Sequence, residues 1–213
     1  MAGDRAGRLD PQKKTLSASE QDPAARAAWR ATVDALDPDR FVFVDETSTT
    51  IALTRRYARA PRGARARGSV PRNHGTPTTL LAALSREGLG AAMTLEGAAN
   101  TEAFAVYLRE LLCPTLRPGQ IVIVDNVSFH RADRIRALVE AAGCRLLFLP
   151  AYSPDFNPIE HALSKIKALL RAAGARTQAA LEAAIAEALD AVTAADADGW
   201  FHHCGYRPAA QPC

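Results

Sequence analysis

The sequence lacks any long apolar run, although 48% of its 213 residues are hydrophobic. No stretch approaches the roughly 20 apolar residues that a membrane-spanning helix needs, which argues against a membrane protein. The first residues, MAGDRAGRLDPQKK, also lack the apolar core of a secretory signal peptide. We therefore expect a chain that is not exported and that has the length of one substantial domain.

Cysteine is scarce, and its positions show no metal-ligand spacing. The four cysteines are Cys113, Cys144, Cys204 and Cys213. Their scatter indicates free thiols in a reducing compartment, which makes a cytoplasmic location the expectation. The His-His-Cys run at 202–204 suggests zinc, but no second pair of ligands complements it, so a zinc site is not expected.

Acidic residues are missing from a long stretch in the first half of the chain. None occurs between Glu46 and Glu87, while the stretch contains seven arginines up to position 72, namely Arg55, Arg56, Arg59, Arg62, Arg65, Arg67 and Arg72. The net charge of the whole chain is only +3, so this positive charge is a local feature. It fits a surface that binds a polyanion and equally fits a solvated basic loop; charge alone leaves both open.

Apolar periodicity and turn residues predict an alternation of strands and helices. The predicted strands are 41–47, 78–85, 91–97, 121–125 and 144–150, and the predicted helices are 23–36, 100–116, 131–143, 157–174 and 177–192. Hairpins join the first three strands, which are therefore antiparallel, whereas helical crossovers make the later strands parallel. This order predicts an α/β fold with a mixed five-stranded sheet and flanking helices.

The predicted elements divide the chain into three parts. Residues 1–22 are expected to form a flexible arm or linker, residues 23–200 one α/β domain, and residues 201–213 an irregular C-terminal tail. Trp200, Phe201 and Tyr206 are expected to pack this tail against the domain rather than to stack on bases.

Three acidic residues stand at privileged positions of the predicted elements. Asp45 and Asp125 end strands, and Glu160 lies in the first turn of a helix. Ligands bind at the carboxyl ends of strands in sheets with crossovers, so neighbouring strands could bring the two aspartates together. Close carboxylates repel each other unless a cation lies between them, and oxygen ligands without sulfur or imidazole favour Mg²⁺ or Mn²⁺.

Each of these acidic residues also has a purely structural interpretation. An aspartate at the end of a strand often begins a turn. Asn157, Pro158 and Glu160 have the spacing of a capping box, in which the glutamate only satisfies a backbone N–H group. The residues alone leave these alternatives open, and the combination of all three positions favours the metal site.

Three blocks that contain these acids resemble the signature blocks of DDE transposases, most of all the bacterial insertion-sequence branch of the mariner-like superfamily. The blocks are FVFVDET, IVIVDNVSFH and FLPAYSPDFNPIEHALSKIK. Asp125 and Glu160 are separated by 34 residues, the spacing that this branch favours, and LPAYSPDFNPIE is the most specific signal. The resemblance runs from about residue 10 to about residue 207.

The resemblance implies a ribonuclease H-like fold, which agrees with the predicted order of elements. It implies that Asp45, Asp125 and Glu160 are catalytic and bind two Mg²⁺ or Mn²⁺ ions. The implied reaction is the cleavage of double-stranded DNA at element ends, followed by transfer of the 3′-hydroxyl to target DNA. A dimer on DNA, within a bacterial nucleoid, is implied as well.

Several basic residues are candidates for contact with DNA. They are Arg62, Arg65, Arg67, Arg72, His130, Lys167 and Arg171. Lys167 and Arg171 lie on the same face of the predicted helix 157–174 as Glu160, as they would in a helix that lies along a DNA backbone. A solvated face explains the two cations equally well. His130 could contact the scissile phosphate or orient Asn126, and a loop histidine bonded to backbone is an equal alternative.

The chain departs from the resembling family in two respects. Many relatives carry a bulky aromatic residue shortly after the glutamate, where this sequence has Ala162 and Leu163. About 20 residues precede the first predicted helix, which leaves no room for the helix-turn-helix region that recognises inverted repeats. We expect recognition to come from a separate protein or from a frameshift fusion. A hydrolysis-only nuclease and a non-catalytic DNA-binding remnant are the competing hypotheses.

Overall fold

The computed structural model describes residues 18–55, 57–126 and 133–207. Its centre is a five-stranded sheet in the order β3-β2-β1-β4-β5. The strands are β1 (Phe41–Thr49), β2 (Thr78–Ser85), β3 (Gly88–Glu96), β4 (Ile121–Val124) and β5 (Arg145–Phe148). The first three strands pair in antiparallel fashion, while β4 is parallel to both β1 and β5. The predicted mixed sheet is confirmed.

Helices cover both faces of this sheet. They are α1 (Pro23–Asp34), α2 (Thr101–Tyr107), α3 (Asp133–Ala141), α4 (Pro158–Ala173), α5 (Gln178–Asp190) and α6 (Ala194–His203). One core cluster joins α1, α4, α5 and α6 to one face, and a second joins α2 and α3 to the other. Helix α2 ends earlier than predicted, because the chain continues as a π-helical turn at Leu108–Leu112 and a 3-10 turn at Cys113–Thr115.

Strand β1 is buried on both faces because its apolar side chains alternate between the two clusters. Phe41 and Phe43 point to the face of α4, and Val42 and Val44 point to the opposite face. The next residue in this alternation, Asp45, therefore points to the same face as the two phenylalanines.

Helix α4 has the two ends and the core stripe that its sequence predicts. Asn157 and Pro158 begin it, and Gly174 ends it in the left-handed conformation with φ of 62°. The predicted apolar face is buried against the sheet; its members are Ile159, Leu163, Ile166 and Leu170. This packing fixes the position of the helix and leaves the side of Glu160 exposed.

The prediction of an irregular tail from residue 201 was wrong for residues 201–203, which are helical, whereas residues 204–207 are turn and irregular chain. Helix α6 continues to His203, and a capping box between Thr193 and Asp196 begins it. Phe201 and Tyr206 are buried in the core beside Phe43. Although apolar residues are sparse in this helix, Ala197 and Phe201 on its buried side pack into the core, and Phe201 contacts Phe43. Residues 208–213 and 1–17 lie outside the described residues.

Lys165 connects α4 to the beginning of α6. Its Nζ donates hydrogen bonds to the Ala191 carbonyl at 2.8 Å and to the Asp196 carboxylate at 2.6 Å. The hydrogen bond from Lys165 is the main reason why the pKa of Asp196 falls to about 2. Lys165 fits neither the apolar nor the basic face of α4, and these hydrogen bonds give it a structural role.

Two expectations from composition can be compared with the structure. In the part of the chain described, no helix is long and apolar enough to cross a membrane. Three of the four cysteines, Cys113, Cys144 and Cys204, are free thiols, as predicted; Cys213 lies outside the described residues.

Candidate functional site

The parallel pairing of β1 and β4 places two aspartates side by side. Val44 pairs with Val124, so Asp45 and Asp125 are the next residues at the same register. Neighbouring strands lie about 4.8 Å apart, and residues at one register point to the same face. Strand β4 ends at Val124, one residue before its predicted end at Asp125, and β1 continues to Thr49, so Asp45 lies within its strand rather than at its end.

Asp45 is a buried carboxylate with both oxygens bound. Its Oδ1 accepts a hydrogen bond from the Glu46 N–H at 2.8 Å, and its Oδ2 accepts one from the Asn157 side-chain amide at 2.8 Å. The residue is only 7% exposed. Burial, followed by the nearby charge of Glu160 and to a smaller extent that of Asp125, raises the pKa of Asp45 to about 8.

Glu160 extends towards the same place from the first turn of α4. The capping-box alternative is wrong here, since no side chain caps the start of this helix among the described residues. The backbone N–H of Asn157, which a capping glutamate would bind, donates to the Pro154 carbonyl at 3.0 Å instead. Glu160 is therefore not occupied by helix capping.

The three acidic residues line one cleft of about 400 Å³. Asn126, Asn157 and the loop 149–154 complete its wall. No histidine or cysteine is among the described residues that line the cleft, so the donors are oxygen atoms of carboxylates, amides and backbone. This set of donors suits hard divalent cations such as Mg²⁺ and Mn²⁺.

The acidic residues share the cleft but do not form a closed ligand cage. Within the described ranges, no three His, Cys, Asp or Glu side chains are grouped tightly enough to hold a metal ion. Asp45 is held rigidly by its two hydrogen bonds, whereas Glu160 is exposed. The exposed glutamate is therefore the acid of the three whose carboxylate can change position by side-chain rotation.

Comparison with known proteins identifies the family. Residues 40–182, more than half of the chain, match the family model described as DDE superfamily endonuclease. This chain belongs to that family. No curated protein matches the sequence.

Solved structures share the fold of this DDE superfamily member. The mariner Mos1 paired end complex with Mg has a TM-score of 0.72 and 18% identity, over 93% of this chain and 64% of that chain. The pre-cleavage Mos1 transpososome has a TM-score of 0.69 and 17% identity, again over 93% of this chain and 64% of that chain. The catalytic domain of Mos1 mariner transposase has a TM-score of 0.65 and 16% identity, over 92% of each chain. The fold is ribonuclease H-like, and this chain spans less than two thirds of the longer Mos1 chains.

Helix α1 braces the loop that leads into α4 of the DDE domain. The Arg26 guanidinium forms two hydrogen bonds with the Asp155 carboxylate, at 3.0 and 2.6 Å. Arg26 and Arg30 both lie over the ring of Phe156, at 4.0 and 4.1 Å from its centre. The carbonyl of Tyr152, a cleft residue with a left-handed φ of 56°, accepts a hydrogen bond from Gln21 at 2.7 Å.

No local pattern in the sequence indicates these bracing contacts, because their partners are more than 120 residues apart. The sequence likewise predicts only an N-cap role for Asn157 and gives no sign of its bond to Asp45. The sequence signal for a role of Asn157 near the site, though not for this bond, was its position within the NPIE motif, three residues before Glu160.

Among the described residues, the predicted DNA contacts do not line the cleft. Arg62, Arg65, Arg67 and Arg72 are exposed in the β1–β2 loop, and none forms a salt bridge with another described residue. Lys167 and Arg171 are half-buried on α4. His130 lies outside the described residues. The structure thus brings together the carboxylates and leaves the basic residues as separate surface groups.

Proposed function

We propose that this chain is the catalytic domain of a transposase, which cleaves DNA phosphodiesters and transfers the 3′-ends to target DNA. The observation that supports this proposal most is the cleft that the three acids share. Asp45 and Asp125 lie at one register of two parallel strands, and Glu160 of α4 lines the same cleft. Family membership supports the reaction class.

The oxygen donors of the cleft suit Mg²⁺ or Mn²⁺, and we propose that two such ions bind there. Asp45 is buried, and the charge of Glu160 adds to the unfavourable energy of its ionised form. A divalent cation held by Asp45, Asp125 and Glu160 would compensate that charge. Mos1 complexes with Mg and with Mn have been solved, which supports the same choice of ions here.

The residues of the chain would then have distinct tasks in phosphodiester cleavage. Two bound ions supply Lewis-acid activation of the attacking oxygen and stabilisation of the leaving oxygen. Asp45 and Asp125 provide fixed anchors because both extend directly from paired strands. Glu160 completes the site from a helix whose position the core sets. These carboxylates hold cations and are not required to shuttle protons.

Double-stranded DNA is the proposed substrate. The β1–β2 loop (residues 50–77, the Arg-rich loop) exposes six arginines among its described residues, and their guanidiniums can neutralise phosphates. Lys167, Arg171 and His130 are proposed as further contacts. Complexes of Mos1 transposase with a transposon end support this class of substrate. We propose that a dimer acts on DNA, and that a separate helix-turn-helix protein or a frameshift-fused segment recognises the element ends.

The test measures nicking of supercoiled plasmid and joining of pre-cut duplexes in Mg²⁺ and in Mn²⁺. Asp45→Asn, Asp125→Asn and Glu160→Gln should each reduce both reactions to the metal-free background while the far-UV circular dichroism stays that of the parent. Glu187→Gln is the matched control, since this glutamate is exposed on α5 and should keep parent activity.

The competing functions give different results in the same experiment. Hydrolysis without joining would identify a nuclease that is not a transposase. Nicking at near-parent rates by any of the three carboxylate variants would remove that residue from the site. Metal binding that does not change in Asp125→Asn, together with no nicking by the parent, would identify a non-catalytic DNA-binding remnant.

A further inference from the structure

Asn157 occupies the N-cap position of α4 but does not cap the helix. An N-cap asparagine normally accepts a hydrogen bond from a backbone N–H of the first turn. Asn100 does this for α2, where its Oδ1 accepts from the Ala103 N–H at 2.9 Å. The Asn157 side chain makes no such bond, and its Nδ2 donates to Asp45 Oδ2 at 2.8 Å instead.

The orientation of this amide has an energetic cost for the fold. Asn157 is 3% exposed, and its Oδ1 is buried without a hydrogen-bond donor among the described residues. A buried carbonyl oxygen without a donor is unfavourable, and so is a helix start without its cap. The fold has both unfavourable features because the amide N–H points at the carboxylate of Asp45. This choice of partner indicates that the bond serves the cleft.

We propose that Asn157 is a positioning residue for Asp45, an inference that rests on the proposed metal-dependent function. The Asn157 amide holds Oδ2 and the Glu46 N–H holds Oδ1. Two anchors on opposite oxygens fix the plane of the carboxylate, so that its remaining lone pairs keep one direction in the cleft. Asn157 acts through Asp45, and partners of this kind orient the ligands of metal sites.

The bond also connects two elements that contribute ligands to the site. Asp45 belongs to β1, and Asn157 directly precedes the helix that carries Glu160. A displacement of the α4 start relative to β1 would break the 2.8 Å hydrogen bond. The spacing between β1 and the helix start that carries Glu160 is therefore set by this contact as well as by core packing.

The decisive variant is Asn157→Ser, because serine caps helices as well as asparagine but is too short to donate to Asp45. Asn157→Ala removes both abilities. The readout is Mn²⁺ binding to the folded chain, measured by electron paramagnetic resonance of free Mn²⁺, with the Tm of the metal-free protein measured alongside. We expect both variants to bind Mn²⁺ about 10- to 100-fold more weakly than the parent, and Asn157→Ser to melt no lower than Asn157→Ala.

Asn100 provides the matched control. Asn100→Ser retains an N-cap and should retain the parent Tm, whereas Asn100→Ala loses the cap and should melt at a lower temperature. Neither change should alter Mn²⁺ affinity, because the residue begins α2, which packs on the other face of the sheet.

The outcomes separate this inference from the proposed function. Parent-like Mn²⁺ affinity in Asn157→Ser, with Mn²⁺ binding lost in Asp45→Asn, would overturn the positioning role and leave the metal site intact. Mn²⁺ binding by the parent that does not depend on Asp45 would overturn the proposed function and this inference with it.

A second measurement does not require a folded Asn157 variant. The side-chain amide resonances of Asn157 and Asn100 can be followed by NMR in the parent and in Asp45→Asn. We expect the Asn157 amide protons to shift when the carboxylate is replaced, and those of Asn100 to stay. An unchanged Asn157 resonance would contradict the hydrogen bond on which the proposal depends.

Discussion

Asp45 and Asp125 follow paired residues of two parallel strands, since Val44 of β1 lies opposite Val124 of β4. The backbone hydrogen bonds of the sheet therefore determine the separation of the two carboxylates. No rearrangement of loops is needed to bring them together. The third acid, Glu160, comes from a helix and is the adjustable member of the set.

Removing the charge of Asp45 should stabilise the metal-free protein at pH 8. Burial, with the nearby charge of Glu160, raises the pKa of this carboxyl from 3.8 to about 8. Between these values the unfolded chain loses a proton that the folded chain keeps, so stability falls as pH rises from about 4 to about 8. Asn at this position cannot ionise and avoids a loss on the order of several kcal/mol.

The measurement for Asp45→Asn is the free energy of unfolding by urea at pH 5 and pH 8 without metal. The advantage of the variant should be larger at pH 8 than at pH 5. Mg²⁺ should raise the stability of the parent and leave that of the variant unchanged. If the variant exceeded the parent in free energy of unfolding by the same amount at pH 5 and pH 8, the Asp45 carboxyl would not titrate between these pH values.

Neutralising the Arg-rich loop should reduce the salt dependence of DNA binding. In Arg62→Ala/Arg65→Ala/Arg67→Ala, the slope of log K against log salt should fall by about 0.9 for each phosphate that the protein no longer neutralises. The measurement is fluorescence anisotropy with a labelled duplex at several salt concentrations. The control is Arg109→Ala/Arg117→Ala/Arg145→Ala, which removes the same charge from outside the loop. Equal slopes in both triple variants would show that the loop is only solvated.

Replacing Lys165 should destabilise the fold without affecting the chemistry. Lys165→Met removes the hydrogen bonds to Ala191 and Asp196 that hold α4 to the start of α6. Because the pKa of Asp196 is lowered, this interaction stabilises the fold above about pH 4 and disappears as pH falls towards 2. A lower Tm at pH 7, a smaller difference near pH 2.5 and parent-like plasmid nicking are expected. Lys167→Met, whose side chain has no described partner, should keep the parent Tm.

Cys204 should react slowly with alkylating reagents in the folded protein. Burial raises the pKa of its thiol to about 11, and the residue is 1% exposed. In a Cys213→Ser background, mass spectrometry after iodoacetamide treatment at pH 7.5 should show Cys204 unmodified until denaturant is added. Modification at the rate of a small-molecule thiol would contradict the burial of the segment after α6.

Strands and most helices could be predicted because each carries its signal locally. The run of apolar residues in β1 and β4 and the glycine after α4 are examples. Helix α6 was missed because its apolar residues are few and Gly199 interrupts them, although Thr193 and Asp196 have capping-box spacing. Strand β3 begins at Gly88, three residues before the predicted start at residue 91, since Gly88 and Gly90 belong to the strand.

The membership of the cleft was predictable, but its internal hydrogen bonds were not. The positions of the three acids in the predicted elements favoured a common site but left structural alternatives open, and the resemblance to the DDE signature blocks is what assigned them to one site. The partner of Asn157 could not be predicted, because local sequence favours its capping role and only the packing of α4 against β1 brings Asp45 within 2.8 Å. Lys165 is similar, since its acceptors lie on another helix.

The pairing of β1 with β4 also bears on synthesis of the chain. The first aspartate leaves the ribosome long before the second, and the glutamate is later still. A nascent or truncated polypeptide that ends before α4 has no complete cleft, however well its first hairpin folds. If the proposed function holds, a chain that ends before α4 lacks Glu160 and is expected not to cleave DNA.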